Sequence, residues 1–409
     1  MKAKRRIGRT IGLATGVGAI LGGPLVLWAQ DMGGTQLTYG IDSRVAGHSN
    51  IDLDPDDGKS SIVWDTTLSF GYLTGTQVSY LGLDASVLLR EKLAGDATVA
   101  RGFINPRVNL SFGHEAAGGR IDGDVFLRET DLTDNQTLDD FDINSGTRRD
   151  YGGNVQLSWG QDSRVAWRLG ADVIYSDYFD SPGNANRNIL TYSGGATLDL
   201  SEVWSLDIGV SRQNFQEEGS DDEITNSVSA GLVRAMQNGT ANLDASYVDT
   251  PDGSRQGLSV GRSLELPDGN LFAQIGVTHT VSGSLALTGA LGYSRALPRG
   301  GIDLDFSHNV QSSSENDSEV EVTRASASIS QDLTERSSIS ANVGLGQQTY
   351  TDDDQPTVRN VRAGIDFSYD LGQDWQATTG IGYTLRKDDE TASDNSIYIG
   401  IRRTFERRY

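Results

Sequence analysis

The chain has 409 residues, 36% of them apolar, with 49 Gly, 8 Pro and no Cys, and its 34 basic and 56 acidic side chains give a formal net charge of −22. The absence of Cys excludes disulfide frameworks, thiolate zinc sites and cysteine nucleophiles, and the acidity argues against nucleic acid as a partner. An apolar content below the usual ~45–50% argues against a large soluble enzyme core.

The first 29 residues have the layout of a secretory signal peptide. Basic residues and no acid occur within 2–9, an uncharged stretch rich in Gly and Ala spans 11–28, and the small residue Ala29 follows. A basic segment, an apolar segment and a small residue in that order direct export. We therefore predict removal of residues 1–29, which leaves 30–409 as the mature chain. A retained anchor is the alternative, because the apolar stretch is long enough for a marginal membrane span.

From residue 35 onward, apolar residues recur at every second position. The clearest runs are Leu81, Leu83, Ala85, Val87 and Leu89, then Val165, Trp167, Leu169, Ala171, Val173 and Tyr175, and near the end Val361, Ala363, Ile365, Phe367 and Tyr369. Because successive residues of a strand point to opposite faces, each run predicts a strand with one apolar and one polar face. No helical pattern follows the signal.

The connections between these runs alternate in character. Short turn-forming segments lie at 73–76, 115–119, 160–163, 201–203, 238–239, 267–270, 298–301, 332–336 and 371–374, and mostly longer acidic ones at 48–59, 129–149, 216–223, 311–319, 351–356 and 387–395. Short turns on one rim and longer loops on the other are typical of bacterial outer-membrane barrels, with the short turns in the periplasm. The sequence therefore predicts an all-β fold: one transmembrane, antiparallel, up-and-down β-barrel of about 18–20 strands.

Residues 255–296 fit this pattern least well. Arg262 takes the apolar parity between Val260 and Leu264, where exposure to lipid would cost up to ~2–4 kcal/mol at the membrane midplane. We expect either a β-bulge that resets the register or a shorter hairpin at this place.

Aromatic residues provide an independent check on the barrel. Four that share the apolar parity lie close to short turns: Tyr72, Trp159, Trp204 and Trp375. Such rings favour the membrane interface, where the ring contacts lipid and the polar tip reaches the headgroups. These residues therefore predict an aromatic girdle at the periplasmic rim.

The end of the chain carries a further pattern. Ile401, Phe405 and Tyr409 share the outward parity, and Arg403 and Arg407 interrupt them. This ending resembles the C-terminal strand signal of outer-membrane barrels. The resemblance implies delivery to the barrel assembly machinery.

The mature chain as a whole resembles the β-barrel porin families of Gram-negative bacteria. Their first hairpin often carries an Asn-plus-acidic motif, which corresponds here to His48-Ser49-Asn50-Ile51-Asp52-Leu53-Asp54. Some members of those families occur beside exopolysaccharide export genes. The resemblance implies a location in the outer membrane, with its lipid and lipopolysaccharide as surroundings.

Residues on the polar face of the strands are the candidate lining of a pore. Its basic members, on the earlier strands, are Arg101, Arg107, Arg120, Arg128, Arg164 and Arg168. Its acidic members, on the following strands, are Asp207, Asp244, Glu265, Asp303 and Asp305. Its aromatic members are Tyr80, Phe103, Phe126 and Tyr398. Arg on one arc and carboxylates on another would set a transverse field that filters ions. The alternative is that these charges pair locally.

The longest connection, 129–149, is a candidate constriction loop. Its acidic residues are Asp131, Asp134, Asp139, Asp140 and Asp142. The loop could fold inward opposite the Arg arc and narrow the pore, or it could stand outside in water.

Motifs of known chemistry are weak in this chain. The G-x-S-x-G match at 257–261 lies in an alternating strand, whereas a nucleophile elbow needs a strand-to-helix turn. The acidic segment 52–58 has Asp57 where a calcium loop requires Gly, and Val63 where it requires Glu. We interpret this segment as a solvated loop, with weak divalent binding as the alternative. The sequence therefore predicts no enzyme activity, no cofactor and no metal site.

The sequence favours an outer-membrane channel for passive diffusion of small polar solutes or ions. Barrels of 16–18 strands already leave an aqueous channel, and the excess of carboxylates in the predicted lining favours mild cation preference. Two alternatives stay open. One is an exopolysaccharide export conduit or a barrel accessory to one, and the other is a structural barrel with a closed bore.

Overall fold

The computed structural model describes residues 34–56, 58–132, 145–181, 183–312, 319–351 and 357–409. The predicted signal peptide, residues 1–29, lies outside these residues and stays a prediction. Within the described ranges, no helix has the length and hydropathy needed to cross a membrane.

Twenty strands form the fold. They are β1 (Gly34–His48), β2 (Ser61–Gly75), β3 (Ser79–Gly95), β4 (Gly102–Ala116), β5 (Gly119–Asp131), β6 (Thr147–Trp159), β7 (Val165–Phe179), β8 (Arg187–Asp199), β9 (Trp204–Glu217), β10 (Glu223–Met236), β11 (Gly239–Thr250), β12 (Gly253–Leu266), β13 (Gly269–His279), β14 (Leu285–Leu297), β15 (Gly300–Ser312), β16 (Glu319–Asp332), β17 (Ser337–Tyr350), β18 (Val358–Gly372), β19 (Trp375–Lys387) and β20 (Thr391–Arg408). Each strand pairs antiparallel with the next, and β1 pairs with β20, so the sheet closes on itself. The predicted up-and-down barrel is confirmed. Closure gives each strand a hydrogen-bonded neighbour on both sides, as a lipid environment requires.

The two rims differ as the sequence predicts. Turns as short as two residues, at 117–118, 237–238 and 267–268, share one rim with the start of β1 and the end of β20. There the Thr35 N–H donates to the Tyr409 carbonyl at 3.1 Å, and the Tyr409 N–H donates to the Thr35 carbonyl at 2.8 Å. Longer connections, such as those from β1 to β2 and from β5 to β6, begin and end at the opposite rim, although the turn 251–252 on that rim is short. We call these the periplasmic rim and the outer rim, following the orientation usual for such barrels.

Apolar side chains cover the outside of the barrel. Leu169, Ile275 and Ile399 have the outward parity and are 53%, 57% and 68% exposed. A continuous apolar surface of this kind is unfavourable in water and favourable against lipid. The outer surface is therefore a membrane-facing belt.

Aromatic rings border this belt on both sides. Near the periplasmic rim Trp159 stacks on Trp167, with ring centroids 6.4 Å apart. Near the outer rim Tyr151 stacks on Tyr175, with centroids 5.3 Å apart. Residues 151 and 159 of β6 are about 27 Å apart along the strand, close to the ~25 Å height of an apolar band in such barrels. The predicted girdle residues are on the periplasmic side of this band.

The expected bulge or shortened hairpin at Arg262 is wrong. Strand β12 pairs with β11 and β13 without a register shift, and Arg262 lies within it with the outward parity. Its Nη2 donates to Asn238 Oδ1 at 2.8 Å in the periplasmic turn, and its Nη1 contacts the Met236 sulfur. A long Arg side chain can lie on apolar surface while its charged end reaches the interface. Side-chain reach, and not a backbone irregularity, accommodates the charge.

Candidate pore

The bore-facing side of the strands holds most of the predicted pore residues. Residues of the parity opposite to the apolar belt point inward, and they include Arg107, Arg120, Arg128, Arg168, Asp207, Asp244, Glu265, Asp303 and Asp305. Arg101 and Arg164 lie just outside the strands, before β4 and β7. Asp131 is the last residue of β5, and Asp134, Asp139, Asp140 and Asp142 lie outside the described residues. The inward folding of that loop stays a prediction.

Three of the six predicted arginines have carboxylate partners close by. Arg120 Nε is 2.5 Å from Asp122 Oδ2, and Arg128 Nε is 2.8 Å from Asp150 Oδ2. Arg168 Nη2 is 3.8 Å from Asp207 Oδ1, which joins one predicted residue to another. These pairs correspond to the local-pairing alternative. They reduce the net positive field that the Arg arc could set.

Three carboxylates of the opposite arc have no ion pair within the described residues. Asp303 and Asp305 of β15 and Glu265 of β12 point inward and are exposed, and within the described ranges none of them is in an ion pair. Unpaired carboxylates along a wet passage concentrate cations and repel anions.

Sequence reasoning missed a charged network on the wall beside the closing seam. Arg44 of β1, Asp65 of β2 and Arg90 of β3 are paired in register across three strands. Arg90 Nε and Nη2 donate to the two oxygens of Asp65 at 2.7 and 2.9 Å, and Arg44 Nη2 is 3.5 Å from Asp65 Oδ2. Asp65 and Arg90 are buried. The sequence does show one charged residue on the polar face of each of these three strands. Only the register between the strands shows that the three residues meet.

Two tyrosines lie flat against the inner wall. Tyr80 of β3 covers Gly113 of β4, and its hydroxyl donates to Asp122 Oδ1 at 3.3 Å. A Cβ at Gly113 would clash with the Tyr80 ring, so glycine is needed there. The Tyr80 ring therefore lies across β4, and its hydroxyl is hydrogen-bonded to β5.

Tyr398 of β20 repeats this arrangement on the other side of the seam. A Cβ at Gly380 of β19 would lie 2.6 Å from Cε1 of the Tyr398 ring. The Tyr398 hydroxyl donates to Asp366 Oδ1 of β18 at 2.5 Å. Arg44 lies over the ring, 5.9 Å from its centroid. Each tyrosine therefore has a carboxylate and an arginine beside it, since Asp122 also binds Arg120.

Phe103, predicted to face the bore, faces outward instead. The pairing of β3 with β4 shifts register between Ser86 and Leu88, and Asn105 adopts a positive φ of 52°. This β-bulge reverses the parity of the outer end of β4. Phe103 is 69% exposed and pairs with the outward-facing Leu89. The alternation rule fails here because the bulge adds one residue to the strand.

The His48–Asp54 motif fastens the first loop to the last strand. Asp394 Oδ1 of β20 accepts hydrogen bonds from the Ser49 and Asn50 backbone N–H groups at 2.9 and 2.8 Å. Asp394 Oδ2 is 2.7 Å from His48 Nδ1. The Asn50 side chain closes the turn by bonding the backbone of Asp54 in both directions, at 2.9 and 3.1 Å. The motif therefore closes the outer end of the β1–β20 seam.

The outer mouth narrows on the β12–β16 side. Pairing between β14 and β15 stops at Gly289 and His308, although both strands continue toward the outer rim. Arg255 Nη1 of β12 lies 3.6 Å from Glu319 Oε1 of β16, and the Val281 N–H donates to Glu319 Oε2 at 3.1 Å. Strands four places apart are separated by about 19 Å along a sheet. The outer ends of β15 and β16 must therefore lean inward over the bore.

The remaining motifs adopt ordinary positions in the wall. Ser259 of the G-x-S-x-G match lies within β12 and accepts a hydrogen bond from Gln274 Nε2 at 2.7 Å. In the described part of the chain, no cluster of three or more His, Cys, Asp or Glu has the geometry to hold a metal ion.

No family model and no curated protein matches this sequence. Solved structures match its fold. A siderophore receptor, PirA from Acinetobacter baumannii, is 10% identical over 90% of this chain and 80% of that chain, with a TM-score of 0.50. A mutant of the ferric enterobactin receptor PfeA from Pseudomonas aeruginosa is 10% identical over 90% of this chain and 81% of that chain, also with a TM-score of 0.50. OpdQ from Pseudomonas aeruginosa is 10% identical over 91% of this chain and 99% of that chain, with a TM-score of 0.40.

The chain folds as a Gram-negative outer-membrane β-barrel. At identities near 10%, these matches support the fold alone and no specific activity. The apolar belt, the paired girdles and the closed sheet agree with that fold. They place this barrel in the outer membrane, as the sequence predicts.

Proposed function

We propose that the protein is a passive channel for small polar solutes and ions. The observation that carries this proposal is the exposure of charged side chains on the bore face of a closed 20-stranded barrel, at Asp84, Arg107, Glu265, Asp303 and Asp305. Charged groups stay exposed inside a protein only where water reaches them. Barrels of this size leave room for an aqueous passage. Diffusion through such a passage needs no cofactor and no covalent step.

Planar-bilayer recording of the purified mature protein tests this proposal. We expect steady conductance with cations more permeant than anions, because among the described bore residues the carboxylates without an ion pair outnumber the arginines without one. The double variant D303N/D305N should lower the cation-to-anion permeability ratio and keep the barrel folded. The control D162N/D268N removes the same charge from periplasmic turns and should change the ratio less. Absence of conductance, or strong anion selectivity, would contradict the proposal.

A second candidate is an export conduit for a polysaccharide. The flat rings of Tyr80 and Tyr398 favour it, each beside a carboxylate and an arginine. The apolar face of a sugar ring can stack on an aromatic ring while its hydroxyls bind the charged groups.

Oligosaccharide block of the conductance tests this second candidate. We expect added oligosaccharide to reduce current through the wild-type barrel, and Y80A/Y398A to weaken the block by about fivefold or more, a loss of about 1 kcal/mol. The outward-facing Y175A is the control. Full current at every oligosaccharide concentration would count against the conduit and leave the passive channel standing.

A further inference from the structure

The lipid-facing surface of β15–β19 contains an apolar groove. Its volume is about 1160 Å³ with the open side included. Outward-facing alanines on three successive strands, Ala327, Ala341 and Ala363, form its floor. Larger side chains, among them Leu304 and Tyr383, stand at its sides. Small residues between large ones leave a depression that another apolar chain can fill.

Two cations lie above this groove at the outer rim. Arg359 of β18 and Lys387 of β19 are direct cross-strand partners with the outward parity, and both are exposed. Ala363 and Tyr383 are paired on the same strands and face, four residues closer to the groove. Four strand residues span about 13 Å, which is close to half the ~30 Å thickness of a bilayer core. The groove therefore begins about 13 Å from the cations along the strands, at a depth that an acyl chain of the outer leaflet can reach.

Among the described residues, no carboxylate forms an ion pair with either of these two cations. Arg359 donates to the uncharged Gln347 Oε1 at 3.1 and 2.8 Å, and within the described residues neither Arg359 nor Lys387 is in an ion pair. Asp388, in the loop that follows Lys387, is 3.5 Å from Arg386 on the inner face. By contrast, the outward-facing Arg149 on another arc is 2.8 Å from Glu129. Two adjacent cations that have no ion pair in the described structure, on a protein of net charge −22, form a local site for an anion.

We propose that this surface binds a phosphorylated, multi-acyl glycolipid of the outer leaflet. A phosphate of the glycolipid lies between Arg359 and Lys387, and one of its acyl chains occupies the alanine-floored groove below. The guanidinium suits a phosphate because it presents paired N–H donors, and the Lys387 ammonium adds a second charge at the same height. The combination of phosphate and acyl chain separates this ligand from free phosphate, which would leave the groove empty.

Native mass spectrometry of the barrel in detergent tests this site. The probe is a purified bis-phosphorylated hexa-acyl glycolipid, compared with the same lipid after removal of its phosphates. We expect the wild-type barrel to retain the phosphorylated lipid. R359Q and K387Q should each weaken retention by about fivefold, and the double variant by about 25-fold. A363L should also weaken retention, because leucine fills the floor of the groove.

Matched variants separate this site from general attraction to the barrel. R149Q/R212Q removes two outward cations from other arcs, and A273L enlarges an outward alanine on β13. Both should retain the lipid as the wild type does. Heat-modifiable migration on gels confirms that each variant is a folded barrel. Equal retention by wild type and R359Q/K387Q, or equal retention of the two lipids, would overturn the proposal.

Discussion

Asp394 connects distant parts of the chain through one carboxylate. It accepts hydrogen bonds from the backbone of Ser49 and Asn50 and lies beside His48, more than 340 residues earlier. Asp394 and Asn50 are both buried. Removing a buried acceptor leaves its donors without partners, which costs more than the hydrogen bonds contribute on their own.

Replacement of Asp394 by alanine should therefore destabilise the outer end of the seam. We expect D394A to lower the free energy of unfolding by about 2–3 kcal/mol, as measured by urea unfolding in lipid vesicles. D389A, in the exposed loop just before β20, serves as the control and should change it by less than about 0.5 kcal/mol. An unfolding midpoint equal to that of the wild type for D394A would show that water replaces the carboxylate at no cost.

Strand β12 shows how a lipid-facing position of a strand can hold a charged residue. Arg262 reaches the periplasmic turn at Asn238, whereas Val260 lies one outward step deeper and is 54% exposed toward lipid. The cost of a charge facing lipid depends on its depth, and it is small near an interface. Depth along the strand therefore decides which outward positions accept Arg.

Two substitutions in β12 separate these depths. R262L should change the free energy of unfolding by less than about 1 kcal/mol, whereas V260R should lower it by about 2–4 kcal/mol, because the new guanidinium lies closer to the midplane. Unfolding in vesicles of fixed thickness measures both. Equal effects of the two variants would mean that Arg262 does not reach the interface.

At the scale of the whole molecule, closure depends on the last strand. β20 pairs with β1 from Ser396 to Arg408, and the carbonyl and N–H of Tyr409 complete the seam with Thr35. Phe405 stands opposite Tyr39 across this seam. The terminal aromatic residues thus take part in the β1–β20 seam, in addition to their predicted role as a signal to the assembly machinery.

Loss of these aromatics should affect assembly in cells more than stability. We expect F405A together with removal of Tyr409 to reduce the amount of folded barrel in the outer membrane, and the same protein to refold in vesicles without assembly factors. Heat-modifiable migration on gels compares the protein from both sources. I399A is the control, because Ile399 lies on the same face of β20 but outside the C-terminal pattern. A refolding defect as severe as the cellular one would indicate that the residues act through stability alone.

The sequence by itself determined the strands, their inward and outward faces, and the assignment of short turns to one rim. These follow from a two-residue period and from turn chemistry, which are local and need no knowledge of partners. Only the tertiary structure decided that Phe103 turns outward, that Arg44, Asp65 and Arg90 meet, and that the outer ends of β15 and β16 lean over the bore. Each of these depends on register across the closed sheet, because one added residue reverses a face and contacts between strands arise only after the barrel closes.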